Sequence, residues 1–259
     1  MFPMKLRSLV SLSLLALFSA GSALAAQFNV LLITKTDGWH HDSIAAGVTA
    51  VQDMAKLHDF DLFWTEDTGR VINDDWLSRY DVVVFLLTTG NILNDDQQAA
   101  LKKFVNNGGG LVGVHSATDT EYDWDWYTKA MGHMFHIHPA VQTATMQVEE
   151  PNFPGMDRFA PRFIATEEWY EFDASRNDNL NYLLSVDEST YDTHANWGSK
   201  QGDGMGEFHP IAWFHEYDGG RVFYTALGHL PATYSDSSFL HHMYGGIYWA
   251  ATGKGFRAE

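Results

Sequence analysis

The sequence predicts an α/β protein: a parallel sheet with helices on both faces and additional strands toward the C-terminus. Three observations carry this. Continuous apolar runs of strand length stand at 28–34, 81–87 and 111–114, as in strands buried on both faces. Segments with helical spacing separate them, and such alternation implies parallel pairing. With 259 residues, 45% of them hydrophobic, the chain can fill one large core and hardly a second.

The elements follow in order. "FNVLLIT" (28–34) is the first strand. Asp42 can cap a helix to about His58, with Ile44, Val48, Val51 and Met54 on one stripe. "FDLFWT" (60–65) alternates as a sheet-edge strand does, 73–79 suggests a short helix, and "DVVVFLL" (81–87) is a buried strand. Asn94 with Gln97 has the spacing of a capping box, opening a helix that Gly108-Gly109-Gly110 ends. "LVGV" (111–114) is the fourth strand. Beyond 140, strands are expected at 141–148, 181–186, 211–217 and 221–227, with Asp218-Gly219-Gly220 turning the last two into a hairpin. An amphipathic helix closes the chain at about 236–251.

Residues 1–25 read as a secretory signal peptide. Lys5 and Arg7 precede an apolar run from Leu9 to Phe18, too short to span a bilayer, and Ala23-Leu24-Ala25 places small residues at a cleavage site. The mature domain would then be 26–259, periplasmic or secreted, with no membrane anchor. Its thiol-free sequence has no disulfide to form. The formal charge of −17 becomes about −19 once Lys5 and Arg7 are removed, a surface that repels nucleic acid and anionic membranes and favours neutral or cation-assisted substrates.

Chemistry is expected beyond the carboxyl ends of the parallel strands. Two loops occupy that position, "KTDGWHHDS" (35–43) and "HSATDT" (115–120), and both carry histidine. The second follows its strand as a nucleophile turn does, with His115 at the apex and Ser116 beside it. Of 13 histidines, His41, His115, His138, His209 and His229 fall at such ends or near them; neutral imidazole serves there as base or metal ligand. No H-E-x-x-H or zinc-finger spacing is present. In "ATEEWYEFD" (165–173) an extended backbone puts Glu168 and Tyr170 on one face, Glu167 and Trp169 on the other. One glutamate is then a ligand or acid/base group and the other solvated; a charged edge strand is the plainer alternative. Asp119 and Glu121 could orient His115 from behind. Trp39, Trp124, Trp126, Trp169 and Tyr170 suggest a platform for the C–H faces of a sugar, whereas Trp213 and Trp249 read as core.

Laid out in this way, the chain resembles the trehalose-utilisation ThuA-like family, on the strength of "GWHHDSI" (38–44), "NNGGGLVGVHSATDT" (106–120), "YDWDWYTKAMG" (122–132), "EEWYEF" (167–172) and "HPIAWFHEYDGGRVFYTALGHL" (209–230). The resemblance covers about 28–253 and implies a flavodoxin-like, class I glutamine amidotransferase-like fold. In glutaminases of that fold a Cys occupies the place of His115, so glutamine hydrolysis by that route is excluded. Ser116 as the nucleophile would need a base other than its neighbour His115. The resemblance also points to sugar metabolism, including 3-keto-glycosides, whose acidified C2 proton a positioned base can remove. A divalent metal such as zinc would stabilise the enolate; no nucleotide cofactor is implied.

The expected catalytic residues are His115, Glu168, His209 and His229, which are also the expected metal ligands. His41, Ser116, Trp39, Trp124, Trp126, His138, Trp169 and Tyr170 are the expected substrate-binding residues. The chain departs from the family pattern at "PNFPG" (151–155), where many relatives carry a second His-Pro. A non-catalytic sugar-binding protein of the same fold is the alternative function; a purely structural module would leave His115, Glu168 and His209 apart in space.

Overall fold

The computed structural model describes residues 26–256; the expected signal peptide lies outside them. Five strands pair in parallel: β1 (Asn29–Ile33), β2 (Asp61–Thr65), β3 (Val82–Leu86), β4 (Gly110–Val114) and β13 (Gly220–Thr225), in the spatial order β2-β1-β3-β4-β13. This is the doubly wound order of flavodoxin-like sheets. Every residue of β3 and β4 is buried, as unbroken apolar runs require, while β2 at the edge has no fully buried residue and no strict alternation.

The sheet then continues antiparallel through β12 (His209–Tyr217), β9 (Asn181–Asp187), β6 (Gln142–Val148) and β7 (Arg162–Glu167), giving nine strands. Four successive antiparallel steps return β7 to the direction of β13. The carboxyl ends of β1, β4, β13, β9 and β7, and the amino end of β12, therefore share one end of the sheet. Two short ribbons sit beside it: β5 (Phe135–Ile137) with β8 (Glu171–Phe172), and β10 (Ala195–Asn196) with β11 (Gln201–Gly202).

The helices are α1 (Ile44–His58), α2 (Thr68–Val71), α3 (Asp74–Leu77), α4 (Asp95–Asn106), α5 (Asp125–Met131) and α6 (Ser237–Thr252). α4 opens with the expected capping box between Asn94 and Gln97. α1 differs from expectation: Ser43, not Asp42, is its N-cap residue, and the Ser43 hydroxyl donates instead to the Gly228 carbonyl, tying the helix start to the loop after β13. Ribbons β5–β8 and β10–β11, with strands of two or three residues, gave no separate sequence signal; edge strand β7 overlaps the start of the segment 165–173, whose plainer reading is a charged edge strand, but begins earlier, at Arg162. The ribbons are too short for a period-2 pattern to stand out.

Candidate metal and acid–base site

The turn after β4 has the expected elbow. His115 lies at φ 53°, a region non-glycine residues seldom adopt, at the start of a short 3-10 turn, His115–Asp119. Tyr224 from β13 donates its hydroxyl to the His115 carbonyl at 2.7 Å and fixes the turn. The His115 ring is fully buried, and its Nδ1 lies 2.7 Å from the Ala226 carbonyl. A carbonyl only accepts, so Nδ1 carries the hydrogen and Nε2 of the neutral ring is the acceptor facing the site. The orienting group is thus Ala226, not Asp119 or Glu121. Asp119 accepts from Tyr122, and Glu121 from the backbone of Ile92 and Leu93 and from Gln98.

Glu168 follows β7 at the same sheet end. One of its carboxylate oxygens lies 3.5 Å from His115 Nε2 and 3.0 Å from His229 Nδ1; the other lies 3.4 Å from His138 Nε2. Burial opposes ionisation of Glu168, but the imidazoles of His115, His229 and His138 outweigh it and hold the carboxyl well below the usual carboxylate range. Burial lowers His229 too, yet Glu168 overrides it and raises the ring above its ordinary value.

His41, from the loop after β1, stands edge-on to His115 with ring centroids 4.8 Å apart, and its Nδ1 is 3.4 Å from the Ser116 hydroxyl. Burial, with His115 adding to it, lowers His41 to about 3 and keeps it neutral. Burial also lowers His138, only partly offset by Glu168.

Glu167, expected to be solvated if Glu168 is the functional one, is buried instead. It accepts from the backbone of Gly228 at 3.2 Å, the backbone of His229 at 3.0 Å and the Thr233 hydroxyl at 2.5 Å, and so holds the loop after β13 that presents His229. Gly228 has φ 118°, and a Cβ there would stand 2.7 Å from the Tyr234 hydroxyl; only glycine lets the chain turn His229 inward.

The outcome is one group of four, His41, His115, Glu168 and His229, each offering a donor atom within 4.8 Å of all the others. It could hold a metal ion. Tetrahedral bonds of about 2.1 Å set the donors about 3.4 Å apart, so the widest pair would close by about an ångström or more around an ion. The donor set suits a divalent ion of borderline softness. A second observation agrees: buried His229 Nδ1 makes no hydrogen bond although Glu168 is only 3.0 Å away. An ion between them would take the place of the proton that Glu168 otherwise favours on the His229 ring.

Several expectations need correction. His209 is not in the group: its Nδ1 lies 2.7 Å from Glu188 and its Nε2 2.8 Å from the Tyr170 carbonyl, so both nitrogens are engaged and it positions Tyr170 from behind. His41 takes its place as the third imidazole. Trp169 is fully buried and donates to the Gln142 carbonyl, a core residue. Trp126 donates to Asp218 in the β12–β13 turn, and Trp124 stacks on it at 4.8 Å. That turn precedes β13, so this pair packs at the end of the sheet opposite His115. Trp39 is 71% exposed, beside the site loop. Tyr170 is buried with its hydroxyl 2.9 Å from His115 Nε2, inside the site but closed to solvent. His138 stays at the mouth: its side chain is 21% exposed, that of His229 22%, and the two flank the approach to Glu168. The "PNFPG" segment packs Phe153 into the core against Phe214 and Phe223, and the group of four is assembled without it.

The profile of the family described as ThuA, trehalose utilisation, matches residues 29–250. The chain belongs to the ThuA family. No curated protein sequence matches it. Among solved structures, a ThuA-like protein from Bacteroides uniformis is 22% identical with a TM-score of 0.72, covering 90% of this chain and 95% of that one. A second, from Parabacteroides merdae, is 20% identical with a TM-score of 0.70, covering 90% and 92%. These likenesses establish the mixed sheet and its flanking helices as the ThuA-like fold. The same fold matches 32% of a β-galactosidase from Bacillus circulans, at 13% identity over 89% of this chain and a TM-score of 0.53.

Proposed function

We propose that this ThuA-family protein is an exported enzyme acting on a neutral sugar, a keto-glycoside in particular, by histidine–glutamate acid–base chemistry at a divalent metal site. The observation that carries the reading is the convergence of His41, His115, Glu168 and His229 at the carboxyl end of the sheet. A passive sugar binder has no need for three inward imidazoles around one buried carboxylate, and a structural module would leave them scattered.

The four residues would hold the ion, which would supply Lewis-acid polarisation of a sugar oxygen. The remaining work belongs to side chains at the mouth. His138 Nδ1 lies 2.7 Å from the Pro139 carbonyl, which places the hydrogen on Nδ1 and leaves Nε2 as a base directed at Glu168. In a 3-keto-glycoside such a base takes the C2 proton. The C–H electron pair becomes the C1–C2 double bond, and the C1–O bond breaks with its pair on the departing oxygen, which then takes up a proton. Burial of His115 and Tyr170 keeps water from the inner half of the site.

Elemental analysis of the purified protein tests the metal reading. About one zinc, manganese or similar ion per chain is expected, retained on dialysis and lost in Glu168→Gln and His229→Ala. A protein that takes up no ion, even after reconstitution, would refute the metal site. Export is checked by the mass of protein recovered from the periplasm or medium, which should lack residues 1–25.

A further inference from the structure

Trp124 and Trp126 lie at the far end of the sheet and Trp169 in the core, and a different aromatic side chain stands at the site. The ribbon β10–β11 is seated on the ribbon β5–β8 by several contacts. Lys200 Nζ donates to the His136 carbonyl at 3.1 Å, His136 Nε2 lies 3.0 Å from the Gln201 carbonyl, and the Gly204 N–H donates to Glu171 at 2.9 Å. Gly202 comes so close that a Cβ would stand 2.6 Å from Ile137. The Trp197 N–H donates to the Lys200 carbonyl at 2.9 Å and closes the turn.

The turn carries the Trp197 indole to the ring of His138, at 4.8 Å and nearly perpendicular, with Phe135 at 6.0 Å. One side chain thus separates this indole from Glu168, since His138 Nε2 is 3.4 Å from the carboxylate. Yet Trp197 is 49% exposed. Leaving half an indole in water forgoes apolar burial that the ribbon's fixed seat could have supplied, and a ligand that covers it recovers that energy.

We propose that Trp197 is the sugar-stacking platform of the site: one pyranose ring lays its C–H face on the indole while the ring that reacts reaches His138 and Glu168. The ligand class is a neutral glycoside of two rings or a ring with an apolar aglycone; the acidic surface disfavours anionic sugars. The inference rests on the reading of the group of four as a sugar-processing site, and it adds where and by which residue the second ring is bound.

The test is calorimetric titration of the zinc-loaded mature protein with two probes, trehalose and methyl 3-keto-α-glucopyranoside, alongside zinc stoichiometry. Trehalose is expected to bind. Trp197→Ala should weaken it at least tenfold and Trp197→Phe by less, with zinc stoichiometry unchanged in both and Trp124→Ala behaving as wild type. Trehalose bound equally by wild type and Trp197→Ala would overturn the platform while leaving the metal-site reading intact. Binding of neither probe by protein that holds zinc stoichiometrically would overturn it as well. Loss of zinc from the wild type is the separate signature of failure of the metal reading.

Discussion

At the scale of single residues, one nitrogen lone pair decides how the site responds to a metal. His115 Nε2 accepts from the Tyr170 hydroxyl at 2.9 Å, and the same lone pair is the one that would bind an ion. An imidazole nitrogen cannot do both. Binding must therefore break the Tyr170 bond, at a cost of about 0.5–1.5 kcal/mol. Tyr170→Phe, which removes that competitor, is expected to bind zinc about 2- to 10-fold more tightly in a chelator-competition titration; weaker binding by the variant would contradict the tautomer assigned to His115. His115 and His229 were legible in the sequence because strand ends can be read from apolar runs, and Glu168 because it stands in the acidic and aromatic segment 165–173. His209 was not distinguishable from them. It too sits at a strand end, and only the positions of Glu188 and the Tyr170 carbonyl show that both its nitrogens are spent.

At the scale of elements, helix α6 shows how closely packing constrains the sequence. A Cβ at Gly245 would collide with the Pro154 carbonyl, so the glycine lets the 151–155 turn lie flat on the helix. Backbone cannot retreat as a flexible side chain does, and overpacking of this kind costs typically 1–3 kcal/mol. Gly245→Ala is expected to lower the unfolding free energy from urea titration by about that amount without changing metal stoichiometry in the folded fraction, since no residue of α6 belongs to the group of four. The parallel strands were readable as apolar runs of five or six residues, and the long helices by a period sustained over twelve to sixteen. Ribbon β10–β11 was not. Two-residue strands carry no period, and its tryptophan looked like any loop residue.

At the scale of the whole molecule, two buried histidines make the fold sensitive to acid. His215 and His242 have neither ring nitrogen hydrogen-bonded, and burial lowers them to about 4 and about 3. Their folded values lie below the ordinary 6.5, so the unfolded chain binds more protons between those limits. The stability linked to them is fully present above about pH 6.5 and is lost as the pH falls toward 4 and below. Within that window each contributes about 1.4 kcal/mol per pH unit. Urea midpoints measured at pH 7, 5.5 and 4.5 should fall steadily, and His242→Leu should flatten the decline; an unchanged slope would remove that residue from the account.

By itself the sequence determined the class of fold, the end of the sheet where chemistry gathers, and the absence of a thiol nucleophile. Each of these follows from local pattern: apolar runs, turn residues, the identity of the residue at an elbow. Tertiary structure alone decided which imidazoles meet. His41 and His229 lie 188 positions apart, yet their rings stand 5.6 Å apart because β1 and β13 finish at the same end of the sheet and the loops that follow them converge at the end of β4. It also decided which tryptophans face the site. Trp124 and Trp126 follow the elbow closely in sequence, but α5 carries Trp126 to the turn before β13, at the far end of the strands. Proximity along the chain says little about proximity across a sheet, because each strand carries the backbone from one end of the molecule to the other.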